Sequence, residues 1–444
     1  MSKRRSLLLS CIYLSLNLSK LSFASGNKDE TPLYLKLSND VHMPLIGCGI
    51  GNLQHELIQE TFPSALAEQY KIFDTASASK NEFIVGDQIS DYGERKRNES
   101  AMRDIHIVTK VWYTHLGYER TKLSVMQSLY DLGPYAKVHM LLHWPKCDNR
   151  IEWMNCKEEE ANLPNDVKEA GPSPLLNPYG ENAAWKGSWK ALEELYMSED
   201  QIVSIGVSNF STQDMEELLQ VCTITPHLYQ GNVAWIFTEP HLVNILRENN
   251  IAFQAFNVMH TFFSNLHDRP WARHHFERIS LEISKHDDVV SWPRLVIAFL
   301  IQNNISVVIR ASDKMHLREN SPLSVRKVPR LNEQHTHEMM EIIDALSRGK
   351  DVPKPAELEG KNVSVPQTVQ ATFRNLLRDH VDLFWVHEET GEHVNVANSV
   401  KPATANTITT YPGHKFVAKR LNGQEFNFQI SHDSGHDHFF SIEL

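Results

Sequence analysis

From about residue 34 to 310, short apolar runs rich in Val, Ile and Leu alternate with longer amphipathic stretches, the pattern of repeated βα units on a parallel sheet. The runs predict eight strands, near residues 45–49, 71–74, 105–110, 138–143, 204–208, 228–232, 251–256 and 306–310. The stretches between them predict helices over 123–130, 185–196, 212–221, 241–249 and 292–303. Eight such units close into an α/β (β/α)8 TIM barrel spanning 33–346; an open doubly wound sheet is the alternative.

Residues 347–365 hold Gly349, Pro353, Pro355 and Gly360 among many charges, with little periodicity, and read as a linker. Over 366–444 a short helical stretch to about Asp379 precedes alternating segments at 381–386, 394–398, 406–411, 415–418 and 426–430. Thr390-Gly391 and Pro412-Gly413 supply turns, so this part predicts a small β-sandwich.

Lys3, Arg4 and Arg5 precede an apolar run at 7–16, and Ser22-Phe23-Ala24 offers small residues for cleavage, so 1–24 reads as a signal peptide. The expected location is the secretory pathway, either secreted or in the endoplasmic reticulum lumen. The end Ser441-Ile442-Glu443-Leu444 is a distant variant of a lumenal retrieval signal. The run at 7–16 is too short to span a bilayer, so no membrane span is expected after cleavage. Losing Cys11 with the signal leaves Cys48, Cys147, Cys156 and Cys222. Cys147 and Cys156, nine residues apart in one polar loop, suit a local disulfide in an oxidising lumen. With 44 basic against 55 acidic residues and a net charge of -11, the chain has no overall electrostatic grip on phosphate backbones, which argues against nucleic acid.

Barrel chemistry sits where strands end, so the last residue of each run matters most. Those residues are Asp74, Lys110, His143, Ser208 with Asn209, Gln230, Phe256 and Arg310: a polar ring with one aromatic around a single mouth. Pro164, Pro172, Pro174 and Pro178 limit regular structure in the long acidic stretch between His143 and Trp185, which overhangs that mouth.

Several motifs in this order resemble the aldo-keto reductase family: Met43-Pro44-Leu45-Ile46-Gly47, Phe73-Asp74-Thr75-Ala76 with Asn81-Glu82, and Val108-Thr109-Lys110-Val111-Trp112. Leu141-Leu142-His143-Trp144-Pro145 and Ile205-Gly206-Val207-Ser208-Asn209-Phe210 complete the set. The resemblance implies an NADP(H)-dependent oxidoreductase reducing a small carbonyl substrate to an alcohol. By it, Asp74 holds Lys110 and His143 orients the carbonyl. The family's general-acid tyrosine is here Ser79, which leaves two readings open: a reductase with another proton donor, for which Tyr113 is a candidate, or a catalytically inactive barrel acting as a binding module. The same resemblance gives Ser208, Asn209 and Gln230 to the nicotinamide carboxamide, Phe256 to ring stacking, Arg310 to the adenosine 2'-phosphate, and Glu319 with Asn320 to adenine. The family's pyrophosphate turn is replaced by Asn257-Val258-Met259-His260.

Further on, Val381-Asp382-Leu383-Phe384-Trp385-Val386, Gly391-Glu392 and Thr410-Tyr411-Pro412-Gly413-His414-Lys415-Phe416 resemble the β domain of the von Hippel-Lindau tumour suppressor. That likeness implies a pocket for a modified peptide, with Thr410 and His414 in the places of its serine and histidine, and Phe416 in that of its tryptophan. His432, His436 and His438 with Asp433 and Asp437 read as a solvated tail rather than a metal site.

Overall fold

The computed structural model describes residues 33–97, 99–175, 183–264, 266, 269–284, 290–310, 314–352, 354, 369–386, 391, 393–410, 413–431 and 437–443. The proposed signal peptide, most of the linker, the first two histidines of the tail and Tyr411-Pro412 lie outside them. The chain divides into two compact units, Met1–Leu266 with Trp271–Pro353, and His267–Pro270 with Lys354–Leu444.

The first unit opens with a hairpin of β1 (Tyr34–Lys36) and β2 (His42–Pro44), which the sequence reading did not resolve. Eight parallel strands follow: β3 (Ile46–Gly49), β4 (Ile72–Asp74), β5 (His106–Val111), β6 (Lys137–Leu142), β7 (Ile202–Ser208), β8 (Leu228–Asn232), β9 (Ala252–Phe256) and β10 (Ser306–Ile309). They pair in sequence order, and β10 returns to β3 with Val307 opposite Ile46, closing the barrel and ruling out the open sheet. Every residue of β5 is buried, as a strand needs when side chains fill the barrel on one face and helices cover the other.

Local sequence explains why the helices begin where they do. Ser211 and Asp214 form a reciprocal capping box at the start of Thr212–Val221. Ser291 caps Trp292–Gln302, whose first turn accommodates Pro293. Gly206 in β7 has no room for a side chain: a Cβ there would lie 2.0 Å from the Leu228 carbonyl oxygen.

The second unit is a sandwich of a four-stranded and a three-stranded sheet. The first orders β13 (His393–Val400), β12 (Val381–Val386), β15 (Lys415–Arg420) and β16 (Glu425–Gln429); the second orders β14 (Ala405–Thr410), β11 (Val369–Asn375) and β17 (Asp437–Ile442). Ala371 and Phe373 from one sheet meet Leu383, Phe416 and Ala418 from the other in a common core. Two sequence expectations fail here. The stretch expected to be helical before Asp379 is largely β11, because Ala371 and Phe373 point inward while Thr372 and Arg374 do not, a period of two that overrides local preference. Of the expected solvated tail, Asp437 and His438 instead pair in β17, parallel to β11, with His438 buried; His432, Asp433 and His436 lie outside the described residues. No group of side chains suited to a metal occurs among the described residues.

Candidate active site

The strand ends deliver Asp74, Lys110 and Gln230 to one hydrogen-bonded cluster. Asp74 closes β4, and Lys110 is the fifth residue of the neighbouring β5. Lys110 Nζ donates to Asp74 Oδ1 at 2.7 Å and to the Thr75 carbonyl at 2.7 Å. Gln230 Nε2, from β8, donates to the same Asp74 oxygen at 2.6 Å and to Gln254 Oε1 on β9 at 2.8 Å. Gln254 in turn donates to Ser306 Oγ on β10 at 3.2 Å, so a polar chain crosses the barrel interior. The Lys110 side chain is 4% exposed and that of Asp74 18%. Removing one member of such a sequestered ion pair leaves the other uncompensated, at a cost of about 3–5 kcal/mol.

Asn209 leaves β7 in the left-handed region (φ 58°), which asparagine tolerates better than most residues. The turn aims its Nδ2 at the His143 carbonyl, 3.0 Å away, and at Ser208 Oγ, 3.2 Å away, while its backbone N–H reaches the Gln230 carbonyl at 3.3 Å. His143 follows β6, its N–H bonded to the Val111 carbonyl at 3.0 Å and its ring edge-on to Trp112. Burial, then the charge of Lys110, holds its pKa well below the usual imidazole range, so the ring is neutral near pH 7. Its Nδ1 is buried without a partner among the described residues.

Ser79 ends a short 3-10 turn, Ser77–Ser79, and makes no side-chain hydrogen bond to Lys110 or Asp74. Its hydroxyl lies against the β3 loop, where a Cβ on Gly51 would come within 3.3 Å. The alternative donor, Tyr113, is committed elsewhere: its buried hydroxyl donates to Glu159 Oε1, and burial together with that carboxylate raises its pKa. Phe256 ends β9 half-buried, and Arg310 is exposed just beyond β10. Glu319 closes the helix Lys314–Glu319 and is followed by Asn320, whose Oδ1 is buried without a partner. The structure thus joins Asp74, Lys110 and Gln230 in one network and Ser208, Asn209 and His143 in an adjoining one. Ser79, Phe256, Arg310, Glu319 and Asn320 belong to neither.

The stretch after His143 is not irregular. It contains the helices Cys156–Ala161 and Asn165–Ala170, and Pro164 precedes the second, where proline is tolerated because no intrahelical N–H is lost. A disulfide closes a loop within it, and two sets of side-chain contacts pin it to the barrel rim. Cys147 and Cys156 form a disulfide with Cα atoms 5.9 Å apart. Arg120 makes a two-pronged pair with Glu160 at 3.0 and 3.1 Å. Glu159 Oε2 accepts from Trp112 Nε1 at 2.7 Å, beside its bond with Tyr113. Trp153, 57% exposed, lies over Trp112 and Trp144.

Sequence reasoning missed Gln254, Ser306 and Glu159. A lone amide in the otherwise apolar strand Ala-Phe-Gln-Ala-Phe was the available signal for Gln254. Glu159 sits in a run of three glutamates, and nothing in the run marks the one that bonds inward.

A closed parallel barrel with a buried Asp-Lys pair and a neutral histidine at the carboxyl ends of its strands defines a small-molecule site of the (β/α)8 class. The model of the Aldo/keto reductase family matches residues 46–348, and the chain belongs to that family. It is 26% identical over 327 residues to the glyoxal reductase of Bacillus subtilis (strain 168), covering 73% of this chain and 96% of that protein. It is 26% identical over 306 residues to the NADPH-dependent aldose reductase GRE3 of Saccharomyces cerevisiae, covering 67% and 89%. The solved aldose reductase from Schistosoma japonicum shares the fold, with a TM-score of 0.54 at 21% identity over 75% of this chain and 97% of that one.

Proposed function

We propose that the chain is an NADP(H)-dependent oxidoreductase that reduces the carbonyl group of a small substrate to an alcohol at the barrel mouth. The observation that carries this reading is the single Asp74 oxygen holding both Lys110 and Gln230, 2.7 and 2.6 Å away. The side chains at the mouth have the donors and acceptors a dinucleotide would need. Gln230 has spent both amide protons, which leaves its Oε1 to accept from the nicotinamide carboxamide, flanked by Ser208 and Asn209. Phe256 would stack on the ring. Arg310 would meet the 2'-phosphate, and Glu319 with Asn320 would hold adenine, the buried Asn320 Oδ1 being a ready acceptor for its amino group. When bound, the cofactor supplies a hydride. With a proton on Nε2, neutral His143 would donate to the carbonyl oxygen and orient it. The names of the relatives, a glyoxal reductase and an aldose reductase, favour aldehyde substrates. The Cys147–Cys156 disulfide favours an oxidising compartment, in keeping with a secretory signal.

The test is oxidation of NADPH by the purified full chain with an aromatic aldehyde, followed at 340 nm. Saturable, enzyme-dependent oxidation is expected; none, at any substrate concentration, removes the reading.

A second reading, a silent barrel carrying a peptide-recognising β domain, rests on a different observation. Thr410 Oγ1 and His414 Nδ1 are 2.9 Å apart, and the His414 ring lies 5.4 Å from that of Trp385, a compact polar and aromatic corner. Binding of a hydroxyproline-bearing peptide that is lost with His414→Ala, in a chain that fails to oxidise NADPH, would favour it.

A further inference from the structure

An alkylammonium carries three N–H donors. At Lys110 two are fixed, one on Asp74 Oδ1 and one on the Thr75 carbonyl, both at 2.7 Å, and the third has no partner among the described residues. The two fixed bonds leave Nζ little freedom, because Asp74 and Thr75 are consecutive residues at the end of β4. Ser79, the nearest hydroxyl by sequence pattern, turns toward Gly51 and does not take up that third proton. Tyr113 is held by Glu159. His143 is close enough for the Lys110 charge to act on its ring, and its buried Nδ1 is likewise unpartnered.

We infer that Lys110 itself is the proton donor of the reaction, delivering the proton of its third N–H directly to the substrate oxygen. This rests on the reductase reading above. The carbonyl carbon accepts a hydride, with its two electrons, from the reduced nicotinamide cofactor. The π pair of the carbonyl bond moves to oxygen, and the oxygen takes the proton from Nζ, forming a new O–H bond as an N–H bond breaks. Lysine is left as a neutral amine, which regains a proton from water before the next turnover. The products are the alcohol and the oxidised cofactor. A free ammonium and a free phenol are acids of similar strength, about 10.4 and about 10, so ammonium for phenol is a conservative change of acid where serine for phenol is not. Asp74 Oδ1 and the Thr75 carbonyl hold Nζ in place for that transfer.

The experiment compares wild type with Lys110→Ala, which removes the acid and leaves room for a small cation. NADPH affinity is measured by fluorescence and turnover with an aromatic aldehyde, with and without added ethylammonium or tetramethylammonium. The inference expects Lys110→Ala to bind NADPH within about threefold of wild type and to turn over about 100- to 10,000-fold more slowly, the usual contribution of a general acid. Ethylammonium should restore part of the rate, more effectively as the added amine is made more acidic, while tetramethylammonium, which has the charge and no proton, restores none. Equal rescue by both cations, rescue by neither, or a Lys110→Ala rate close to wild type overturns Lys110 as donor while leaving the reductase reading in place. Wild type that binds no NADPH overturns that reading, and this inference with it.

Discussion

The two ends of the barrel carry buried polar networks of opposite kinds. At the mouth, Lys110, Asp74 and Gln230 leave groups unspent: one ammonium N–H, the Gln230 Oε1 and the neighbouring His143 Nδ1. At the floor, near the amino ends of the strands, the donors and acceptors close on one another. His106 Nδ1 and His139 Nε2 are 2.9 Å apart, and His139 Nδ1 lies 2.7 Å from Ser204 Oγ. His227 Nδ1 accepts from the Ile205 backbone at 3.2 Å. A satisfied network in a dry interior stabilises one structure and has nothing left for a ligand, whereas the mouth keeps its valences for one.

That contrast breaks most visibly in activity. Beyond the rescue experiment, Asp74→Leu should cut turnover at least about 100-fold by releasing both Lys110 and Gln230, and cost about 3–5 kcal/mol by leaving the ammonium unpaired. Denaturant unfolding and NADPH oxidation on the same preparations measure the two losses. An Asp74→Leu chain as active as wild type would make the mouth network ornamental.

At the floor the order of effects reverses. His139→Leu strands the His106 Nδ1 and the Ser204 hydroxyl, and should cost about 2–4 kcal/mol of stability while turnover per folded molecule stays within about twofold of wild type. A large loss of turnover at unchanged stability would erase the distinction between the two ends.

The excursion beside the mouth offers an intermediate test. Replacing Cys147 and Cys156 by serine opens a loop of nine residues, worth about 2.5 kcal/mol on the chain-entropy account. Because Glu159 rides on the tethered helix and bonds Trp112 and Tyr113, the KM for a bulky aldehyde should change more than kcat. Steady-state kinetics with and without reductant check this.

Taken per group, the smallest effect is in pH. Burial, then neighbouring His139 and Lys137, depresses His106 to about 2, and burial, then His227 and Lys137, depresses His139 to about 3. The folded chain therefore refuses protons that the unfolded chain takes up near 6.5, so stability is full above that pH and is lost as pH falls. Glu82, raised to about 7 by burial, works the other way between 7 and 4.5 and offsets one of the two. With His115 depressed to about 4 and His143 lower than its free value, the balance favours loss on acidification. Each uncompensated histidine costs about 1.4 kcal/mol per pH unit below 6.5. Denaturant midpoints at pH 6.5 and 5 should fall in that direction, and a flat profile would mean the buried imidazoles reach solvent.

The barrel and its polar mouth were legible because parallel strands covered on both faces must be apolar runs, and the exceptions at their ends stand out. Asp74, Lys110, His143 and Gln230 are such exceptions. The bonding among them was not legible: that one oxygen of Asp74 serves both Lys110 and Gln230 depends on barrel closure bringing β8 opposite β4, 156 residues apart. Gln254 and Ser306 matter only through that closure. In the second unit the sequence misled near Val369 and at Asp437–Ile442, where strands gain their stability from cross-sheet partners that no local pattern contains.

If the open network at the mouth takes NADP(H), as proposed, and the floor is closed to it, the two ends must answer differently to the cofactor. Thermal unfolding with and without NADPH tests it most directly, since a ligand held at 100 times its Kd stabilises by about 2.7 kcal/mol. The account predicts a clear upward shift in Tm for wild type and for His139→Gln, and its loss in Gln230→Leu. No shift in wild type at millimolar NADPH, or an undiminished shift in Gln230→Leu, would contradict it.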